Sequence, residues 1–474
     1  MSGRFLQRDS AGHWTADEVA EAAGGRWIIS PPKRWFASGL CIHGPTMQAG
    51  NLVVVRGSEP GSKGIQEHLL STLPHPPAGI ITSSDMIPGP PSMPVLRVGD
   101  TGVAILAMGR HARERMTGKV LAVTGSAGKT TTVAMLAHVL SAWGRVGRTG
   151  YNANLPHGVA WNLASMPLHA PHIVLELAIG RMGQSARMAR PDIAVFTNIF
   201  PAHLGEGSSL RDIARTKSAI FSAMSPGGVA VINRNMLEWE TVHAAATARK
   251  LEVFHFGTTG ESDFQLLDYD AGSKRVSVRL RDEEHGYSLP AAGKHMALNS
   301  LAILAAVSAL GLPLEQAFRQ LETFQPLPGR GEESEVIVDG KRITMIDDAY
   351  NANPGSMTVA LEQLSLRVTA GRKIAVLGEM ADLGPEARRY HSELSTLIDG
   401  LDIDRFYVTG ELYSEFWESL PRDRRGGFEP SLSALRLRVF QEIADGDTVL
   451  FKGSNSAKIY QIVSWLAQQS VRTR

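Results

Sequence analysis

The chain is poor in several things at once. Cys41 is the only cysteine in 474 residues, which excludes an intrachain disulfide framework and any zinc site built from several cysteines. Charge of one sign is not in excess: 48 Lys and Arg face 47 Asp and Glu, a formal net charge of +1. No global field therefore draws the chain to nucleic acid or an anionic membrane, although local pockets are free to be charged. Apolar runs of eighteen or more residues are missing, so no membrane span is expected. The opening MSGRFLQRDSAGHW has no apolar stretch of signal-peptide type. With repeats and extended low-complexity tracts missing as well, the expected address is a reducing cytoplasm.

What remains is an ordinary globular balance, 43% hydrophobic and 20% charged, in a chain too long for one core. Two or three domains follow. Near the start, Thr15 to Glu18 reads as a capping box opening a short helix. Strands are expected at 51–55 and 80–82, and the four prolines between Ser83 and Pro94 make that stretch a loop. A helix is expected over 98–115, ended by Thr117-Gly118. From Val120 the pattern changes to buried strands alternating with helices: strands at 120–123, 173–177, 193–197 and 229–232, helices at 129–143, 209–224 and 295–310. The strands lack polar alternation, as in a sheet covered on both faces. The turn-rich Pro326-Leu-Pro-Gly-Arg-Gly331 precedes a second alternating section, with strands at 343–346, 374–377, 406–409 and 448–451. The expected architecture is α/β with mainly parallel sheets in three domains: 1–117, 118–327 and 328–474.

The strongest local signal is Val123-Thr-Gly125-Ser126-Ala127-Gly128-Lys129-Thr130-Thr131, placed between a predicted strand and a predicted helix. Glycines let backbone N–H groups converge on an anion, and the helix N-terminus adds its dipole. Lys129 would reach terminal phosphates, and the Thr130 hydroxyl would ligate magnesium. The common phosphate loop needs glycine where Val123 stands; the spacing here is the shorter G-x-x-G-K-T-T.

That short loop, with Thr132 as a third threonine, resembles the Mur ligases and the folylpolyglutamate synthetases. Further segments carry the likeness: Leu175-Glu176-Leu177, Thr197 to Leu204 with His203, Ile213 to Phe221 with Lys217, Leu289 to Asn299, and Pro328-Gly-Arg330-Gly331. Asp347-Asp348-Ala-Tyr350-Asn351-Ala-Asn353-Pro354 and Val376 to Gly384 look like the MurF type of Mur ligase, and Lys452-Gly-Ser454 completes the set. The resemblance spans about residues 118–460 and implies amide synthesis with ATP and Mg2+, one ion or two. A carboxylate donor is phosphorylated on its carboxyl group, and an amino-acid or dipeptide amine displaces the phosphate.

The resemblance also implies roles. Glu176 and His203 end neighbouring predicted strands, the edge where ligands bind in open parallel sheets, and would hold magnesium with Thr130. Alone, Glu176 reads equally as a salt-bridge partner and His203 as a structural histidine. Lys217, by default a solvated helix lysine, matches a position carbamylated in many members, where the carbamate holds a second magnesium. Asn299 would face the nucleotide, and Arg330 and Asp348 would reach it on domain closure. Asn152 and Asn154 match a substrate-side stretch or form a polar turn. Asn351 and Asn353 are further polar candidates, with Asn353-Pro354 also fitting a helix start. Lys452 and Ser454 would meet the acceptor or belong to a strand-end loop.

Three departures stand out, one of them the unusual sequence around Tyr151 to His157. Met296 occupies a position where the family carries an adenine-contacting asparagine. In the N-terminal section, Ile42 to Leu52 has uncharged residues where MurF proteins carry an arginine-containing stretch for the UDP part. The donor is therefore open: a muramoyl peptide or another carboxylate. A folylpolyglutamate-type ligase would share the chemistry but lacks the segment from Asp347 to Pro354. The reading from a different class is a nucleotide-binding scaffold with eroded catalysis. A monomer is expected.

Overall fold

The computed structural model describes residues 14–56, 64–85, 89–90, 92–201, 209–291 and 293–472. Its three large sheets follow one another along the chain. The first has the strand order Arg26–Ile29, Val95–Arg97, Gly79–Thr82, Asn51–Val55, Gly39–Cys41. Only its Arg26–Ile29 edge is antiparallel.

The second sheet has nine strands. Its parallel part places Lys119–Thr124 between Ile193–Phe196 and His172–Glu176. The chain then crosses outward in both directions, so the C-terminal end of Lys119–Thr124 is a topological switch point, where α/β sheets bind ligands. The third sheet runs Glu332–Val338, Lys341–Asp348, Thr448–Lys452, Lys373–Gly378, Arg405–Thr409, Arg425–Glu429, and is parallel except at its first strand. The α/β class with mainly parallel sheets is as expected.

Helix limits follow from local capping. The helix expected from Val98 starts at Thr101 because the Asp100 carboxylate accepts from the Val103 N–H at 2.7 Å. Thr15 and Glu18 form the anticipated capping box. Ser209 and Asp212 form another, opening Leu210–Ser218, which tightens into a 3-10 turn over Ala219–Ala223. The helix from Lys129 ends at Leu140 and finishes in a 3-10 turn, Ser141–Trp143. Three antiparallel strands, Phe264–Asp270, Arg275–Leu280 and Glu283–Ser288, extend the second sheet and were not anticipated.

The core crosses from the first sheet to the second. Trp14, Leu52, Leu96 and Met108 belong to one apolar cluster with Val159, Leu175 and Phe196. Within it the helix Thr101–Arg115 packs on Pro156–Ser165 so closely that a side chain at Gly109 would strike the Ala160 backbone. The opposite face of the second sheet is covered by Lys129–Leu140 and Lys294–Ala309. Among the described residues no helix is long and apolar enough to cross a membrane.

Candidate active site

The loop 125–128 is folded by its two glycines and by the strand beside it. Gly125 sits at φ 148°, and any side chain there would strike the Thr197 hydroxyl; Gly128 sits at φ 77°. Both conformations are open to glycine and costly for other residues. The segment after Ile193–Phe196 then fixes the loop. Ala127 N–H donates to Asn198 Oδ1 at 2.7 Å, and the Thr197 hydroxyl donates to Ala127 O at 2.7 Å. The Ser126 hydroxyl donates to Phe200 O at 3.0 Å. Thr197, Asn198 and Phe200 thus belong to the site; their signal lay in the segment Thr197 to Leu204, but no role had been read for them.

Lys129 curls over its own loop, donating to Gly125 O at 2.9 Å. Burial pulls its ammonium below the usual lysine range; Glu176 opposes that shift and the charge of Arg330 adds to it. An anion beside this cation would relieve both the desolvation and the repulsion. Thr130 Oγ1 donates to Glu176 Oε2 at 2.6 Å, and Asn154 Nδ2 donates to Glu176 Oε1 at 2.7 Å. Glu176 itself is 2% exposed. A threonine hydroxyl and a carboxylate converging at the head of a phosphate loop form a hard-oxygen donor pair of the kind magnesium takes. The third expected ligand, His203, lies outside the described residues, and among the described residues no cluster of three His, Cys, Asp or Glu side chains could hold a metal.

Lys217 is brought to the loop but not into the cavity. It is 2% exposed and donates to Gly125 O at 2.9 Å from behind. Burial first, and then the neighbouring charge of Lys129, push its pKa far down, with Glu176 opposing. The solvated helix lysine is thereby overturned.

The third sheet supplies the facing wall. A cavity of about 630 Å³ is lined by Lys129, Thr130 and Glu176 on one side and Arg330, Asp348 and Asn351 on the other. The Arg330 guanidinium lies 4.1 Å above the Tyr350 ring, a cation–π contact that holds the side chain out from its turn. Asp348 Oδ2 accepts from Lys452 Nζ at 2.6 Å, and Lys452 is 2% exposed. Asn353 caps the helix Pro354–Ser365 through the Ser356 N–H, and its Nδ2 donates to Ser126 O at 3.4 Å, tying the wall to the loop. Behind that contact Phe200 lies flat on Gly355, where a Cβ would be only 2.4 Å from the ring. Asn299 lies against Gly128, while Met296, buried, and His295 complete the lining. His295 belongs to the segment Leu289 to Asn299 that carried the resemblance, although no role was read for it; burial holds its imidazole below the usual histidine range, Asp348 pulling upward and Lys452 downward.

Two expectations are corrected. Ser454 does not reach the cavity: it is 1% exposed and its hydroxyl pairs with Ser456 at 3.0 Å. Lys452 lines the cavity, but its ammonium is committed to Asp348 and to Asn351 O. Asn152 and Asn154 line this cavity and also a second one of about 830 Å³, against the first sheet. The polar turn there is real too: Asn154 Nδ2 donates to Asn152 Oδ1 at 2.9 Å, with Asn152 at φ 55°.

Comparison with known proteins agrees with this geometry. Residues 123–307 match the Mur ligase middle domain, and residues 333–455 match the Mur ligase, glutamate ligase domain. The UDP-N-acetylmuramoyl-tripeptide--D-alanyl-D-alanine ligase of Bacillus subtilis is 30% identical over 390 residues, covering 81% of this chain and 83% of that one. The Escherichia coli protein of the same name is 29% identical over 384 residues, covering 79% and 83%. Among solved structures, MurF from Acinetobacter baumannii superposes with a TM-score of 0.79 at 25% identity, covering 96% of this chain and 99% of that one. MurF from Thermotoga maritima, solved in complex with ADP, shares the fold at a TM-score of 0.75 and 24% identity, covering 92% and 98%. The chain belongs to the Mur ligase family.

Proposed function

We propose that the protein is an ATP-dependent, ADP-forming ligase that joins a carboxylate donor to the amine of an amino acid or dipeptide. The observation that carries this reading is the meeting, in one cavity, of the phosphate loop with Lys129, the Thr130–Glu176 pair, and Arg330 with Asp348 from the opposite wall. A donor carboxylate oxygen attacks the γ-phosphorus, ADP leaves, and an acyl phosphate forms. The amine then attacks the acyl carbon, expels phosphate, and gives up a proton as the amide forms. The first step brings two anions together, so charge screening and in-line placement must supply most of the rate.

Gly125, Ser126, Ala127, Gly128 and Thr131 cradle the phosphates, with Lys129 on the terminal ones. Arg330 and Asp348 reach the nucleotide from the other wall, and Asn299 meets it beside Gly128. Thr130 and Glu176, with His203, would hold magnesium, which neutralises phosphate charge when bound. Lys217 is the candidate for carbamylation: the neutral amine that adds carbon dioxide is the form burial favours there. Asn152 and Asn154 orient the donor carboxylate; Asn351, Asn353 and Lys452 shape the acceptor side. In this reading residues 1–117 serve the donor, 118–327 ATP and 328–474 the acceptor, in a cytoplasmic monomer. An eroded scaffold would have no need of the Thr130–Glu176–Asn154 chain of hydrogen bonds.

The test is phosphate release from ATP with panels of carboxylate donors and amino-acid or dipeptide acceptors, the products identified by mass. An amide product formed with ADP and phosphate supports the reading. Nucleotide binding with no product across the panels, the muramoyl tripeptide and D-alanyl-D-alanine included, favours the scaffold.

A further inference from the structure

Arg330 enters the cavity from a turn, and a turn does not hold a long side chain in place unaided. Its backbone N–H donates to Leu327 O at 3.1 Å, and glycines flank it, Gly329 at φ 74° and Gly331 at φ 80°. Left-handed glycines allow sharp bends but bring few steric restraints. Further ties come from the end of the strand Lys341–Asp348 and the residues just after it. Asp347 O accepts from the Gly331 N–H at 2.8 Å, and Gly329 O accepts from the Tyr350 N–H at 3.1 Å. The Asp347 carboxylate spans both segments: Oδ2 accepts from the Gly329 N–H at 3.1 Å and Oδ1 from the Ala349 N–H at 3.2 Å.

We propose that Asp347 is a positioning residue for Arg330: its carboxylate clamps the turn 327–331 to the segment 348–350, so that the guanidinium rests on the Tyr350 ring and faces the terminal phosphates of a bound nucleotide. The proposal rests on the ligase reading, in which Arg330 reaches the nucleotide. It adds a residue that does not itself line the cavity.

The parts are joined through Tyr350. The clamp sets Gly329 against it, where a Cβ on the glycine would lie 3.1 Å from the tyrosine Cβ. The same tyrosine carries the Arg330 guanidinium 4.1 Å above its ring. One carboxylate thus fixes the residue before Arg330 and the residue before Tyr350. The charge of Arg330 reaches Lys129 across the cavity, and Lys129 takes the terminal phosphates in the ligase reading.

The carboxylate is held there at a cost. Asp347 stands directly opposite Glu332 in the antiparallel register, and like charges so placed destabilise a sheet. Burial pushes the Asp347 carboxyl above the usual carboxylate range; Asp348 adds to this, and the N–H groups of Ala349 and Gly329 oppose it. Glu332 is pushed the same way, by burial and then by Asp347. An asparagine would avoid the repulsion, but it has a single acceptor oxygen and would turn an NH2 toward the second N–H. Two donors from two segments call for two oxygens.

The experiment is calorimetric titration of the full chain, in Mg2+, with ADP or with the non-hydrolysable ATP analogue AMPPNP, which reads the terminal phosphate without a donor. Asp347→Ala is expected to weaken AMPPNP by about tenfold, the scale of a hydrogen bond to a charged group, while ADP stays within about threefold of wild type. Asp347→Asn, which keeps one acceptor, falls between wild type and Asp347→Ala. In an Arg330→Met background, Asp347→Ala weakens AMPPNP by less than about twofold further, because the side chain to be positioned is gone. Losses that add in full across the two sites would overturn the proposal. So would equal losses for ADP and AMPPNP, or unchanged AMPPNP affinity in Asp347→Ala. If Asp347→Ala does not fold, unchanged AMPPNP affinity in Asp347→Asn overturns it equally. Wild type that binds neither ADP nor AMPPNP would overturn the ligase reading, and the proposal with it.

Discussion

The two cavities that share Asn152, Asn154 and Leu155 are built on opposite principles. In the cavity at the phosphate loop the candidate side chains are held by one another: Thr130 by Glu176, Glu176 by Asn154, Lys452 by Asp348, and Arg330 rests on Tyr350. The larger cavity is walled by leucines, isoleucines and one aromatic stack. Charge development needs groups fixed in advance, because reorganising dipoles during reaction costs energy. Holding a substrate body needs only shape and dryness. In the proposed reading the reaction belongs to the first cavity and the body of the donor to the second.

Variants can test that division, and the largest effect belongs to the loop. Lys129→Ala is expected to lower ATP turnover by at least about 10²–10³-fold. Because Lys129 is desolvated at a cost, the unfolding midpoint should stay within about 4 °C of wild type. Turnover within tenfold would remove Lys129 from the chemistry.

Lys217→Met comes next, with a loss of at least about 10²-fold in turnover and an unfolding midpoint at neutral pH that does not fall. The sign follows from linkage. The folded pKa of Lys217 lies well below its ordinary value, so between the two the unfolded chain binds the extra proton and wild-type stability rises with pH. In CO2-free buffer the variant should be at least as stable as wild type near pH 7, the gap closing as pH rises toward about 10.4. A strongly destabilised variant would mark Lys217 as purely structural.

Gly355→Ala probes the closure between the walls. Its new methyl meets the Phe200 ring, so turnover should drop by about 10- to 100-fold through misplacement of the facing groups. Gly355 lies in the first turn of its helix, where alanine is tolerated, and the overlap falls on a side chain that can turn aside, so thermal stability should hold to within about 4 °C. Unchanged kcat and KM would show that the contact with Phe200 does not matter to catalysis. The smallest effect is expected from Leu69→Asp on nucleotide binding. The residue lies in the other cavity, and MgADP affinity should stay within about threefold of wild type. A larger change would dissolve the division of labour.

How much was readable in the sequence follows the same line. The loop was legible because strand, two glycines, Lys129 and helix are consecutive and each carries its own physical reason. Glu176, Arg330 and Asp348 were legible through separated segments in the right order, and the cavity brings all three together. His295 stood in a segment that carried the resemblance, but no role was read for it, because its meeting with Asp348 and Lys452 exists only in three dimensions. Ser454 was misread because its hydroxyl pairs with Ser456 two residues on, a fold-back that the sequence does not announce. The strands over 264–288 went unread although Val276, Val278 and Leu280 alternate with polar residues; they form an antiparallel edge added to a sheet otherwise read from continuous apolar runs. The second cavity was foreshadowed by the loss of charge between Ile42 and Leu52 and by the unusual segment Tyr151 to His157, but that these two distant segments meet is visible only in the fold.

The central claim is that a carboxylate is activated by phosphoryl transfer in the cavity between the loop and the Arg330 wall. The most direct measurement follows oxygen: donors labelled with 18O in the carboxylate are turned over with ATP and an amine acceptor, and the released phosphate is analysed by mass. The account predicts one labelled oxygen in each phosphate released with ADP and the other retained in the amide. Unlabelled phosphate, or release of AMP and pyrophosphate, would contradict it.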